Sequence, residues 1–187
     1  MNLPLFAAGG LAGFWLVDRA LAANERSAAG NLTMTEKLTA SWLNDLNTRG
    51  LAYRAALLAT EDRHGMPRYL LARLAWQESR FRPDIIEGRT VSSAGALGIM
   101  QLVPKWHPTM PPSACLDPAR AIPYAGNYLA SLKKQFGTWE LALKAYNWGP
   151  GNLAKYLAGA KALPIETARY SAEILADVRA LTGSTFA

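Results

Sequence analysis

Pro67-Arg68-Tyr69-Leu70-Leu71-Ala72-Arg73-Leu74-Ala75-Trp76-Gln77-Glu78-Ser79-Arg80-Phe81-Arg82-Pro83 is the stretch on which the fold turns. Pro67 suits the first position of a helix, and Pro83 closes the run. Leu70, Leu71, Leu74, Ala75 and Glu78 recur at helical spacing, so a carboxyl sits on the stripe that must face a core. Glu78 also falls in the last turn, near the negative end of the helix dipole. Burial and dipole both disfavour the carboxylate and raise its pKa. A carboxyl protonated near neutral pH is what a general acid requires. A salt bridge from Arg73 or Arg82 would do the opposite and make Glu78 a structural ion-pair partner. Helix placement alone leaves both readings open.

Helical patterning continues on either side. Thr35 is placed to cap a helix on which Leu38, Trp42 and Leu46 share a face and which stops at Gly50. Ala55, Leu58, Ala59 and Asp62 continue a second helix to Gly65. Residues 122–136 and 139–147 read as two more, and a last helix carries Tyr170, Ile174, Val178 and Leu181 in register. No segment alternates as a strand should, so the fold class is mainly α with at most a small β-hairpin. Residues 84–97 read as a loop or that hairpin.

Two further segments carry polar groups suited to a ligand. In Ser93-Ala94-Gly95-Ala96-Leu97-Gly98-Ile99-Met100-Gln101-Leu102-Val103-Pro104 the glycines flank a turn that lets backbone approach a ligand closely. Ser93 and the two-ended amide of Gln101 suit a sugar hydroxyl or N-acetyl group. A plain Gly-rich helix start accounts for the same residues. In Ala145-Tyr146-Asn147-Trp148-Gly149-Pro150-Gly151, the Tyr146 phenol is expected to orient a nearby carboxyl, and Asn147 adds an amide. A helix end with a buried tyrosine is the bland equivalent.

Composition sets outer limits. The chain has 187 residues, half of them hydrophobic, enough for one well-buried domain with a short appendage. Cys115 is the single cysteine, so no intrachain disulfide forms. His64 and His107 stand apart from each other and from any cysteine pair, and read as structural or solvated residues. No metal ion or other cofactor is expected. The net charge of +6 lies wholly in residues 51–187. That balance favours an anionic partner, but the basic residues are scattered, which speaks against a dedicated nucleic-acid patch.

The N-terminal part reads separately. Residues 1–23 contain the apolar run Leu3 to Val17, then Asp18-Arg19 and Ala20-Leu21-Ala22-Ala23. Such a run is shorter than the ~20 residues of a membrane span. It resembles a signal-peptide core, yet no Lys or Arg precedes it. An uncleaved anchor or partner helix is the preferred expectation, with a signal-like segment or an ordinary core helix as alternatives. Residues 24–34 are a polar, small-residue linker, and 35–187 form the main domain.

Four ordered motifs together resemble the lytic transglycosylases of the bacterial soluble type, with their goose-lysozyme-like catalytic domain. They are Glu78-Ser79-Arg80-Phe81-Arg82-Pro83, Gly95 to Leu102, Ala145-Tyr146-Asn147-Trp148-Gly149, and Pro164-Ile165-Glu166-Thr167-Ala168-Arg169-Tyr170. The resemblance covers roughly residues 51–180 and implies a lysozyme-like helical fold with peptidoglycan as substrate. It makes Glu78 the catalytic acid, and Ser93, Gln101, Tyr146, Asn147 and Glu166 substrate-binding residues. Val103 stands where the family usually has Met, which reshapes one wall of a subsite.

The implied chemistry needs one carboxyl. Glu78 would protonate the glycosidic oxygen between MurNAc and GlcNAc, then take the proton of the C6 hydroxyl as it closes onto C1 to give a 1,6-anhydro ring. A goose-type lysozyme would instead use a second carboxylate, and Asp84 and Glu87 on the following loop are the available ones. A catalytically inactive wall-binding or virion structural protein is the alternative outside enzymology. The expected partners are peptidoglycan strands and, through residues 1–23, a membrane or a larger assembly such as a virion or a secretion or conjugation machine. No nucleic-acid partner is expected. The location implied is the bacterial periplasm or cell envelope.

Overall fold

The computed structural model describes residues 34–183. The apolar segment 1–23 and the linker up to residue 33 lie outside the described residues. The elements in chain order are α1 (Met34–Asn47), α2 (Leu51–His64), α3 (Leu70–Ser79), α4 (Pro83–Ile86), a 3₁₀ turn (Pro104–Trp106), α5 (Pro112–Cys115), α6 (Pro118–Phe136), α7 (Trp139–Trp148), α8 (Pro150–Leu157) and α9 (Ile165–Thr182). Among the described residues the extended pairing is one isolated antiparallel bridge, Leu97 with Leu102. The domain is thus mainly helical with almost no strand. No described helix is long and apolar enough to cross a membrane.

α3 is the axis of the molecule. Every residue from Leu70 to Ser79 is buried except Gln77, because α1, α2 and α9 all pack on it. Its leucines each contribute about 1.5–3 kcal/mol of apolar burial. The helix begins at Leu70 rather than at Pro67, and the cause lies on α2. The fully buried Glu61 accepts from the Tyr69 amide at 2.8 Å and the Ala72 amide at 3.0 Å. A carboxylate from another helix therefore caps this N-terminus, while Tyr69 itself is left-handed at φ 69°. Burial pushes the Glu61 carboxyl up to about 7 against the pull of those amides.

Glu61 also explains a misread face. Of Ala55, Leu58, Ala59 and Asp62 only Leu58 is buried; α2 instead turns Leu57, Leu58, Thr60 and Glu61 inward. Two polar residues at core positions erase the hydrophobic period on which such a reading depends. α2 lies close to α6 because Gly126 has no side chain: a Cβ there would fall 2.2 Å from Thr60 Cγ2.

In the second half α9 packs on α3, α6 packs on α2, and α7 and α8 are added to these. Asp117 caps α6 by accepting from the Ala119 amide at 2.9 Å, with Pro118 at the first helical position. Thr138 caps α7 through the Leu141 amide at 3.1 Å. α7 packs between α6 and α9, and α8 follows after the turn at Gly149. The short α4, α5, α8 and the 3₁₀ turn had no periodic signature in the sequence. Thr35 lies inside α1 rather than capping it.

Candidate active site

The last turn of α3 is locked before it can fray. Ser79 Oγ donates to the Ala75 carbonyl at 3.0 Å and accepts from the Phe81 amide at 3.2 Å. Arg80 and Phe81 are both left-handed at φ 51°, which reverses the chain within two residues. Such a backbone costs energy for non-glycine residues, and the fully buried Phe81 ring holds it in place. Trp76, one turn earlier, donates to Asp45 at 2.8 Å and lies under the Arg80 guanidinium, 3.5 Å from the ring centre.

Glu78 is held in this fixed turn with 7% of its surface exposed. The Tyr170 hydroxyl, from α9, donates to Glu78 Oε1. Burial pushes the Glu78 carboxyl up to about 7, and the Tyr170 bond pulls the other way. The ion-pair reading of Glu78 does not hold. Arg73 pairs with the buried Asp177 at 2.6 Å and donates to Gln77 at 2.7 Å. Arg82 pairs with Asp84 at 2.8 Å. The α3/α9 seam thus carries two links from distant sequence, Arg73–Asp177 and Glu78–Tyr170.

The turn after α4 forms the facing wall. The Leu97 and Leu102 amides exchange bonds with each other's carbonyls at 3.0 and 3.1 Å, closing a tight loop. Gly98, at φ 72°, tolerates no side chain, because a Cβ would meet the Cys115 carbonyl oxygen at 2.0 Å. Gln101 takes a left-handed φ of 46° and donates from Nε2 to the Gly98 carbonyl at 2.9 Å. The Tyr146 hydroxyl donates to the Met100 carbonyl at 2.8 Å, so this phenol ties α7 to the turn. The expectation that Tyr146 orients the acid is therefore corrected: Tyr170 makes that bond. Asn147 is buried and accepts from Thr167 at 2.9 Å.

A cleft opens where these walls meet. Glu78, Gln101, Tyr146 and Asn147 all line it. Ser93 and Glu166 do not. Ser93 is exposed, and its neighbour Ser92 makes the local bond, accepting from the Ala96 amide at 3.0 Å. Glu166 lies in the first turn of α9, its pKa raised by burial. Val103 does line the cleft, as do Trp106, His107 and Tyr128, which sequence reasoning passed over. Tyr170 was read as part of a core stripe and of the fourth motif, with no role assigned to it; a tyrosine at a core position needs a partner for its hydroxyl, and that was the available signal.

The second carboxylates considered from sequence lie elsewhere. Asp84 is clamped by Arg82 and accepts from Thr90 at 2.8 Å, which hold its carboxyl down at about 2. Glu87 pairs with Arg89. Neither lines the cleft, and Glu78 is the one carboxyl among its described lining residues. A protonated acid beside neutral amides, phenols and an indole can hand a proton to an uncharged polar substrate, such as the bridging oxygen of an acetal.

The motif order and this geometry meet in the comparisons with known proteins. The family model of the transglycosylase SLT domain matches residues 56–168, and the chain belongs to that family. It is 34% identical over 121 residues to the membrane-bound lytic murein transglycosylase F of Stutzerimonas stutzeri (strain A1501), covering 59% of this chain and 24% of that protein. Its fold matches an inactive mutant of the lytic transglycosylase Slt from Pseudomonas aeruginosa, with a TM-score of 0.58 and 25% identity over 68% of this chain and 23% of the other. The chain therefore matches under a quarter of the length of either relative.

Proposed function

We propose that the protein is a peptidoglycan lytic transglycosylase, cutting the β-1,4 bond between MurNAc and GlcNAc with formation of a 1,6-anhydroMurNAc end. The observation that carries this reading is the solitary, buried Glu78 at the cleft, with its carboxyl pushed up to about 7 and a phenol bonded to it. Protonated Glu78 delivers its proton to the glycosidic oxygen, and the leaving sugar departs. The carboxylate so formed keeps the Tyr170 bond, which stabilises the charge when it exists. It then removes the proton of the C6 hydroxyl as that oxygen closes onto C1. One carboxyl serves as acid and base in turn, and no water is consumed.

Hydrolysis would need a second carboxylate across the cleft. Asp84 is committed to Arg82 and Thr90, and Glu87 to Arg89, which favours the transglycosylase over the lysozyme. In this proposal Gln101, Tyr146 and Asn147 hold the sugar, and Ser93 and Glu166 serve only an extended strand reaching beyond the cleft. Mass spectrometry of digested sacculi tests the reaction. Anhydro-ended muropeptides are expected; predominantly reducing-ended products would make the enzyme a hydrolase.

For the cellular setting, we read residues 1–23 as an attachment to the membrane or to a larger envelope-crossing assembly, a virion or a secretion or conjugation machine, with 24–34 as its tether. The support is the apolar run Leu3 to Val17 followed by small polar residues. A shortened chain beginning near Asn31 is expected to be soluble and active on isolated sacculi. Failure of that chain to fold would make residues 1–23 part of the catalytic domain.

A further inference from the structure

His107 is a cleft residue that the mechanism above leaves unused. It follows the 3₁₀ turn Pro104–Trp106 and lines the same cleft as Glu78. Its ring is fixed from two sides. Tyr124 meets it edge-on with centroids 5.5 Å apart, and Tyr128 does so at 5.0 Å. His107 Nδ1 lies 3.1 Å from the Tyr124 hydroxyl.

That leaves Nε2. Among the described residues it has no hydrogen-bond partner, yet it is not among the buried polar atoms left unsatisfied, a condition met only by Trp42 Nε1. The atom is therefore open, and the ring lines the cleft. The tautomer follows from the two groups that meet at Nδ1. A phenol is a good donor and a weak acceptor, and an imidazole nitrogen is a good acceptor. Taking the phenol as donor to Nδ1, one of the two directions the 3.1 Å contact allows, puts the ring proton on Nε2. Burial supports a neutral ring, pushing its pKa down to about 4.

We propose that His107, held by Tyr124, is a substrate-positioning donor whose Nε2–H binds an uncharged oxygen of the amino-sugar chain, such as an N-acetyl carbonyl. This rests on the reading of the cleft as a glycan site and adds to it a specificity residue. A neutral N–H beside Trp106 and Tyr128 can donate to an uncharged acceptor such as an N-acetyl carbonyl. The Tyr128 phenol stays protonated, since burial pushes it to about 12. The His107, Tyr128 and Trp106 side chains of this wall are thus uncharged, and the nearby cation, Lys105, lies over the Trp106 ring 4.9 Å from its centre.

The test uses binding without turnover. In a full chain carrying Glu78→Gln, affinity for a soluble GlcNAc–MurNAc tetrasaccharide is measured by calorimetry. Adding His107→Ala is expected to weaken binding roughly three- to tenfold, the effect of one lost neutral hydrogen bond. His107→Gln, whose amide reaches a similar position, is expected to retain most of the affinity, and Tyr124→Phe to fall between. In the chain with His107 intact, imidazole ¹⁵N shifts are expected to report the Nε2-protonated tautomer, a readout independent of any His107 variant folding. Unchanged affinity in His107→Ala, or an Nδ1-protonated ring, would overturn the proposal. Failure of the Glu78→Gln chain itself to bind the tetrasaccharide would overturn the glycan-cleft reading beneath it.

Discussion

Two sets of acids lie within ten residues of each other in sequence and behave in opposite ways. On the α3/α9 seam, Glu78 is buried, bonded to a phenol and pushed up to about 7. On the short helix α4 that follows α3, Asp84 is partly exposed, gripped by a guanidinium and a hydroxyl, and held at about 2. The side chains are nearly the same chemically; the environment decides which can be an acid at neutral pH. Burial selects the protonated form and a cation selects the ionised one. A seam between two packed helices supplies the first environment, and the partly exposed first turn of a short helix supplies the second.

The comparison breaks most visibly at Glu78. Glu78→Gln is expected to lower turnover on sacculi roughly thousandfold while circular dichroism stays unchanged. The same variant sharpens the burial argument. A carboxyl raised from 4.5 unfolded to about 7 folded contributes stability that is complete below 4.5 and lost as pH rises through 7. Glu78→Gln is therefore expected to gain stability over wild type at pH 8 and none at pH 4, as read from denaturant midpoints.

The arginine–aspartate pairs differ in the same sense. Asp177→Ala leaves the Arg73 cation buried, with 1% of its side chain exposed, and is expected to cost about 3–5 kcal/mol in denaturant unfolding. Asp84→Ala, on the exposed pair, is expected to cost less than about 1 kcal/mol. Equal losses would mean that the seam is no more enclosed than the surface of α4.

A smaller effect separates orientation from chemistry. Tyr170→Phe removes the bond that favours ionised Glu78. Turnover is expected to fall roughly tenfold with little change in KM. The alkaline limb of the kcat profile is expected to move upward, since the bond lowers the Glu78 pKa. A profile that stays in place would make Tyr170 a packing residue. Smallest of all, Asp84→Asn and Glu87→Gln are each expected to leave turnover within about twofold, because surface carboxylates in ion pairs take no part in the cleft. A large loss at either would restore the hydrolase.

What could be read from sequence followed what is local. Glu78 was legible because helix spacing and chain position alone put it at a core-facing last turn. Gln101, Tyr146 and Asn147 were legible only through the family motifs, since a plain helix start and helix end account for them locally; all three line the cleft. The partner of Glu78 was not, because Tyr170 lies 92 residues away and its pairing depends on how α9 packs. Tyr146 was credited with that bond because it shares a motif with Asn147, whereas its hydroxyl goes to the Met100 carbonyl. The inward face of α2 was obscured by Glu61, a buried polar cap that no hydrophobic period announces. His107 looked isolated because its companions Tyr124 and Tyr128 come from the next long helix.

The claim that one buried carboxyl performs the chemistry is tested most directly by titrating that carboxyl. Glu78 can be followed by ¹³C NMR, with its resonance assigned by its loss in Glu78→Gln, beside the pH dependence of kcat on sacculi. The account predicts that the carboxyl titrates near 7 and that kcat falls with the same midpoint. A Glu78 that titrates near the ordinary 4.5, or a kcat profile that ignores its ionisation, would contradict the account.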